Sequence, residues 1–276
     1  MKNPILTDIH THTTFSTDGQ DDIFSMLKKA RSLGLSYWGI SEHFDYDYFI
    51  DGVLFEGMPA RYTDAERYFF TARKLQEQTK DIRILAGAEF GFTPDQRVVP
   101  YYRSVIERFS PDFIVNSVHT NGKFDYYEKP ALSGVDKETG YGDYLKRVRE
   151  SLDADYEYDI VAHLCYPCRW APYEDRVLRL NEFAEQIDDI LTTVIRKDKI
   201  LEVNSSVKGL DTPFLPFPDI VKRYFELGGR KVSFASDAHG VSRLAENRER
   251  AVAELKQIGF THITVPFRKK HISIEI

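Results

Sequence analysis

A closed or nearly closed parallel barrel of the α/β class is the fold this sequence predicts. Short apolar runs alternate with helical patterns, giving seven βα repeats along one chain. Most of these runs are apolar throughout rather than alternating, as in a parallel sheet covered on both faces. No GxGxxG opens a helix after the first run, which argues against an open doubly wound sheet.

The first strand is expected over Pro4–Ile9. Ile23, Met26, Leu27 and Ala30 then stand at i, i+3, i+4 and i+7, and Gly34 supplies a left-handed helix stop. A second strand, Tyr37–Ser41, leads into a long connection, Phe44–Tyr62, carrying Phe44, Tyr46, Tyr48, Phe49 and Phe55. Long loops in compact domains are often lids, and the aromatic density favours that role here. Tyr68, Ala72 and Leu75 make a weaker helical stripe before strand Ile82–Ala88. Strand Phe113–Val118 precedes a second long connection, Gly122–Tyr141, and strand Asp159–Ala162 follows it. Leu180, Phe183, Ala184, Ile187, Leu191 and Val194 form a long stripe before strand Ile200–Val203. Pro218 opens a helix through Ile220, Val221, Tyr224 and Phe225 that ends at Gly228-Gly229. Strand Lys231–Ala235 and a stripe of Ala251, Leu255 and Ile258 before Gly259 complete the set. No linker, internal repeat or low-complexity tract interrupts the pattern, so residues 1–276 are expected to form one domain.

Composition narrows the function. Apolar residues at 42% and charged residues at 29% of 276 describe an ordinary globular protein. The net charge of −6 argues against a general nucleic-acid binder, which needs surplus Lys and Arg. Two cysteines cannot build a disulfide framework. No apolar run is long enough to span a membrane, and MKNPILTDIHTH lacks the apolar core of a signal peptide. A cytoplasmic location is therefore expected.

The histidines carry the strongest signal. Six of eight fall at or just past a proposed strand end: His10, His12, His43, His119, His163 and His239. In a parallel barrel those ends share one face, where active sites are built. A lone histidine at a strand end is usually just a hydrogen-bonded polar residue; six at such ends need another explanation. Asp8, Asp18, Glu42, Glu89 and Asp237 lie at the same level. Imidazole with carboxylate is the ligand set of Zn²⁺, Mn²⁺ or Fe²⁺. This many donors exceeds the need of one tetrahedral ion, so two or three ions are expected. Three divalent ions would outweigh Asp18, Glu89 and Asp237, leaving a cationic pocket suited to a phosphate dianion. Clustered ions can clamp phosphoryl oxygens and supply hydroxide at neutral pH, which favours hydrolysis of a phosphate ester.

These residues resemble motifs of the polymerase and histidinol phosphatase (PHP) superfamily. Asp8-Ile9-His10-Thr11-His12 resembles its first motif and Phe15-Ser16-Thr17-Asp18-Gly19 the continuation. Ser41-Glu42-His43-Phe44 resembles the second motif in its Glu-His form, and Gly87-Ala88-Glu89-Phe90 the bridging-glutamate motif. Asn116-Ser117-Val118-His119, Val161-Ala162-His163 and Ser236-Asp237-Ala238-His239 resemble the remaining metal motifs. The ordered set, spanning Asp8 to His239, is specific where a single HxH is not.

The resemblance implies a distorted (β/α)7 TIM-like barrel with three divalent metal ions. By its pattern His10, His12, Glu89 and Asp237 hold the first ion. Glu89, His119 and His163 hold the second, and Asp18, His43 and His239 the third. The implied reaction is L-histidinol phosphate plus water giving L-histidinol and phosphate, with a metal-bound hydroxide attacking phosphorus in line. Asp237 or His239 would manage the proton. Glu42 is expected either to meet the substrate's ammonium or imidazole or to orient a ligand. Arg169 is expected to contact phosphate or to form a structural salt bridge. Lys208 stands one position off the place where those relatives carry another arginine, and it supplies charge without a bidentate fork. Cys165 and Cys168 are expected to be buried thiols, and His262 and His271 to lie outside the site. The alternatives are a phosphoesterase acting on a nucleotide or sugar phosphate, a metal-dependent amidohydrolase, or a non-catalytic metal-binding module.

Overall fold

The computed structural model describes residues 6–276; Pro4 and Ile5 of the expected first strand lie outside the described residues. The strands are β1 (Leu6–Asp8), β2 (Leu35–Phe44), β3 (Leu54–Phe55), β4 (Met58–Pro59), β5 (Arg83–Gly91), β6 (Ile114–Ser117), β7 (Ile160–Val161), β8 (Ile200–Asn204), β9 (Val232–Ala235), β10 (His262–Phe267) and β11 (Lys270–Glu275). The helices are α1 (Ile23–Ser32), α2 (Tyr46–Asp51), α3 (Ala65–Gln78), α4 (Val99–Phe109), α5 (Lys137–Ser151), α6 (Ala184–Arg196), α7 (Pro218–Glu226) and α8 (Arg248–Ile258).

Seven strands form one sheet in the order β1-β2-β5-β6-β7-β8-β9, every pair parallel. Its two edges meet. The Ile9 amide donates to the Phe234 carbonyl at 3.1 Å, Asp237 to His10 at 2.9 Å, and His12 to Ala238 at 2.8 Å. The sheet is thus a nearly closed, distorted TIM-like barrel, as the alternating pattern predicts, with all strand C-termini on one rim.

Helix α1 shows how the sequence sets an element. Asp22 caps it by accepting from the Phe24 and Ser25 amides, and Ile23, Met26, Leu27 and Ala30 are its buried stripe. Large aromatics fill much of the core, and their polar ends are satisfied. The Tyr68 hydroxyl, for example, donates to the carbonyls of Ile40 and Gly87 at 3.0 and 2.9 Å.

Several elements differ from expectation. The connection Phe44–Tyr62 contains α2 and the β3–β4 hairpin. The connection Gly122–Tyr141 ends early, because α5 begins at Lys137; Gly140 and Gly142 in its first turns obscured the buried stripe Tyr141, Tyr144, Leu145, Val148. Helix α4 escaped notice because its buried face is only Val99, Tyr102 and Val105. Helix α6 starts at Ala184, so Leu180 and Phe183 of the long stripe precede it. The antiparallel hairpin β10–β11 lies beyond the seventh repeat and packs against β9. No helix among the described residues is long and apolar enough to cross a membrane.

Strands β1 and β2 approach closely where the first histidines emerge. Trp38 Nε1 donates to Thr11 Oγ1 at 2.9 Å, and Thr11 Oγ1 donates to the Gly39 carbonyl at 2.7 Å. A Cβ at Gly39 would stand 2.5 Å from the Ile9 carbonyl oxygen, which is backbone and cannot rotate away. Gly39→Ala should therefore destabilise the protein by about 1–3 kcal/mol. Denaturant melts read this, and an unchanged midpoint would refute the close-approach argument.

Candidate metal centre

Glu89 is the hub of the rim. It lies near the end of β5, opposite His43 of β2 in the parallel register, and is fully buried. Its Oε2 lies 3.1 Å from His10 Nε2, 3.4 Å from His12 Nε2 and 3.1 Å from His43 Nδ1. Its Oε1 lies 3.1 Å from His119 Nε2 and 3.2 Å from His163 Nε2. Five imidazoles from the ends of β1, β2, β6 and β7 thus face one carboxylate.

The donors fall into overlapping triads whose ligand atoms lie within 4.8 Å of one another: His10, His12 and Asp237; Glu89, His119 and His163; His12, His43 and His239; and His43, Asp45 and His119. Asp18 joins them through Oδ2, 2.9 Å from His239 Nε2. Imidazole nitrogens face each other in three pairs: His10 and His12 at 3.0 Å, His119 and His163 at 3.3 Å, and His43 and His239 at 3.4 Å. Two nitrogens on one tetrahedral zinc, each at about 2.05 Å, stand about 3.3 Å apart, so the spacing fits shared ions. Tautomers agree. Glu202 Oε2 takes the Nδ1 proton of His10 at 2.7 Å, which turns the Nε2 lone pair toward Glu89 and His12. The His239 Nδ1–H donates to the Asp237 carbonyl at 3.0 Å, leaving Nε2 as the ligand atom. With these tautomers the ligand nitrogens and carboxylate oxygens converge in the way a shared cation would use.

The electrostatics point the same way. Burial works against a charge on His43, but Asp45, Glu89 and Asp18 push its imidazole up to about 10. His10 is raised well above its ordinary value by Glu202 and Glu89 against the same burial cost, and His119 by Glu89 and Asp45. Burial, helped by the neighbouring His43 and His239, pushes His12 down to about 3. Burial opposes charge on Glu89 and Asp237, yet His10, His43 and His119 hold the first, and Arg169, His12 and His10 the second, well below the usual carboxylate range. The pocket therefore holds anions that demand positive charge at its centre.

The structure brings together every residue expected to be a ligand: His10, His12, Asp18, His43, Glu89, His119, His163, Asp237 and His239. Six of them, Asp18, His43, His119, His163, Asp237 and His239, line a cavity of about 460 Å³ that Arg169 and Lys208 also line. Arg169 is anchored within the site, which is the structural role of the two expected. Its Nη1 donates to Asp237 at 2.9 Å and its Nη2 to Asn204 at 2.7 Å, while its buried Nε has no partner. Lys208 is exposed at the cavity edge.

Of the two roles expected of Glu42, its position fits the orienting one rather than contact with substrate, for it does not line the cavity and it holds Ser16, whose hydroxyl lies 3.4 Å from His12 Nδ1. The Glu42 carboxylate is fully buried and accepts from the Thr13 amide and hydroxyl and from the Ser16 amide and hydroxyl. It fastens the loop that carries Asp18. Burial, resisted by these donors, pushes it up to about 7. Two residues were missed. Asp45 stands 3.3 Å from His43 Nδ1 and 3.5 Å from His119 Nδ1. Glu202, in mid-strand, supports His10 and also accepts the His163 amide at 3.0 Å. Asp45 sits one residue past the Glu-His-Phe motif, whereas nothing local marks Glu202. Cys165 and Cys168 are buried free thiols, and His262 and His271 lie on the C-terminal hairpin, outside the site.

The PHP domain model matches residues 8–206. A probable histidinol-phosphatase from Clostridium acetobutylicum is 28% identical over 250 residues, covering 89% of this chain and 91% of that protein. A probable histidinol-phosphatase from Thermotoga maritima is 28% identical over 267 residues, covering 95% and 96%. A crystal structure of histidinol phosphate phosphatase from Lactococcus lactis, complexed with zinc, L-histidinol and phosphate, matches with a TM-score of 0.84 at 25% identity, covering 98% of this chain and all of that one.

Two outcomes are expected at the centre. His43→Ala and His239→Ala should each lose bound metal while melting as folded proteins; elemental analysis beside a thermal melt reads this, and an unchanged metal count in both sinks the ligand assignment. Metal uptake by stripped protein near pH 8 should release protons, because His43 at about 10 is charged there and a ligand imidazole must be neutral. Apparent affinity should then rise with pH until His43 is neutral. Calorimetric titration in buffers of different ionisation heat measures the release, and zero protons contradicts it.

Proposed function

This chain belongs to the PHP domain family, and from that premise we propose that it is a metal-dependent phosphate monoester hydrolase converting L-histidinol phosphate and water into L-histidinol and phosphate. The observation that carries the reading is the match along the whole chain to a histidinol phosphate phosphatase complexed with zinc, L-histidinol and phosphate. The residues gathered on this rim support it, since imidazoles and carboxylates at ion-sharing distances are what such a centre needs.

In this reading the nine proposed ligands, His10, His12, Asp18, His43, Glu89, His119, His163, Asp237 and His239, hold three divalent ions. The ions supply Lewis acidity toward the phosphoryl oxygens and activate the hydrolytic water at neutral pH. Arg169 lines the cavity and contributes its charge to phosphate binding, with Nη1 anchored on Asp237 and Nη2 on Asn204. That anchoring presets the guanidinium, so little reorganisation accompanies phosphate binding. Lys208 and Arg243 add positive charge to the lining. The Nδ1 proton of His239 is committed to a backbone carbonyl, so proton transfer falls to Asp237, which its cationic neighbours keep ionised. Buried free thiols at Cys165 and Cys168 agree with a reducing, cytoplasmic setting. Residues 1–276 act as one catalytic unit, because donors that follow the first and the last barrel strands complete the centre.

A panel of phosphate monoesters tests the proposal. L-histidinol phosphate should give the highest kcat/KM, above p-nitrophenyl phosphate, nucleoside monophosphates and sugar phosphates, and chelation should abolish turnover. If L-histidinol phosphate ranks no better than p-nitrophenyl phosphate, the specific assignment fails.

A further inference from the structure

The cavity over the centre is electrically two-sided. Its cations, Arg169, Lys208 and Arg243, come from segments that follow β7, β8 and β9. Its carboxylates outside the proposed ligand set, Asp45, Glu56 and Asp125, come from segments that follow β2 and β6. In the strand order these are different arcs of the rim. A substrate that is anionic at one end and cationic at the other matches this division; a sugar phosphate, with no cation, does not.

Two of the three carboxylates are already engaged. Asp45 faces His43 and His119. Asp125 is buried and accepts from the Tyr127 amide at 2.6 Å, the Tyr166 hydroxyl at 3.2 Å and the Tyr48 hydroxyl. Glu56 is different: no donor among the described residues reaches its carboxylate. It occupies the two-residue turn of the β3–β4 hairpin with φ 50°, followed by Gly57 at φ 79°. Asn or Asp before glycine suits such a turn better, so a glutamate here carries a longer acid at a conformational cost.

The hairpin is held over the cavity rather than free of it. The Glu56 amide donates to Glu128 Oε1 at 3.1 Å, and Phe55 stacks on Tyr127 with centroids 6.3 Å apart. Tyr127 in turn meets Trp170 edge-on at 5.1 Å. Phe55, Tyr127 and Trp170 all line the cavity, and aromatic side chains there suit a planar ring or a cation.

We propose that Glu56 is a specificity-determining residue that receives the substrate's ammonium group, with Phe55, Tyr127 and Trp170 flanking its imidazole. The inference rests on the histidinol phosphate reading and adds to it the residue that separates this substrate from neutral phosphate esters. The hairpin then serves as a charged cover at the end of the cavity opposite the phosphate.

The test compares kcat/KM for L-histidinol phosphate with that for its des-amino analogue, in wild type and in Glu56→Gln. The ratio of the two substrates is read within each preparation, so partial misfolding cancels. Wild type should prefer the ammonium-bearing substrate, and Glu56→Gln should reduce that preference about fivefold, the size of an exposed ion pair. Added salt should erode the wild-type preference and leave that of Glu56→Gln nearly unchanged. Equal ratios in the two proteins would overturn the role of Glu56 while leaving the phosphatase reading intact. A wild type that ranks L-histidinol phosphate no higher than p-nitrophenyl phosphate overturns that reading, and this inference with it.

Discussion

The charge of Glu89, buried at the centre of the barrel rim, sets the terms for the rest of the structure. A carboxylate removed from water is strongly unfavourable unless opposite charge and hydrogen-bond donors surround it. Here five imidazoles do so, all within 3.1–3.4 Å. They arrive from strand ends spread between β1 and β7, so the compensation exists only when the barrel is nearly closed. Fold and centre are therefore mutually dependent: the strands deliver the histidines, and the histidines make a buried glutamate tolerable.

Other buried carboxylates repeat the device one layer out. Asp8 accepts from the Ser236 amide and hydroxyl and from the Ala245 amide, tying the segment that carries Asp237 and His239 to β1. Glu42 grips Thr13 and Ser16, and so steadies the loop bearing Asp18. Glu202 holds the His10 ring and the His163 backbone together. Each is fully buried, and each joins a strand to a loop from elsewhere in the chain. Donor positions are fixed by hydrogen bonds rather than by apolar packing alone, which suits a centre whose ligand spacing must be held within fractions of an ångström.

Much of this was legible before any coordinates. Period and apolar runs located all seven barrel strands, covering β6, β7, β9 and the described part of β1 but stopping short of the ends of β2, β5 and β8; the runs are visible because a parallel sheet buries both faces of every strand. Histidines at strand ends located the proposed ligands, since a parallel barrel places all those ends on one rim. Helices α4 and α5 were hidden by a narrow apolar face and by glycines, and packing against the sheet rather than local propensity stabilises them. Which of its two expected roles Glu42 takes was not legible, because adjacency to His43 in sequence says nothing of direction. Along a strand successive side chains point to opposite faces, so the neighbour of a ligand faces away from the centre.

The sequence by itself determined which groups can bind cations and that they share a rim, for both follow from residue type and strand periodicity. Only the tertiary structure decided what each polar group faces. Asp45 bridges His43 and His119, Glu202 supports His10 from mid-strand, and Arg169 spans Asp237 and Asn204. It also placed Glu56, on a two-residue turn, over the same cavity as residues after β9. These pairings join residues from separate strands, and in several cases from distant parts of the chain. Their geometry depends on barrel closure and loop path, which local spacing does not encode.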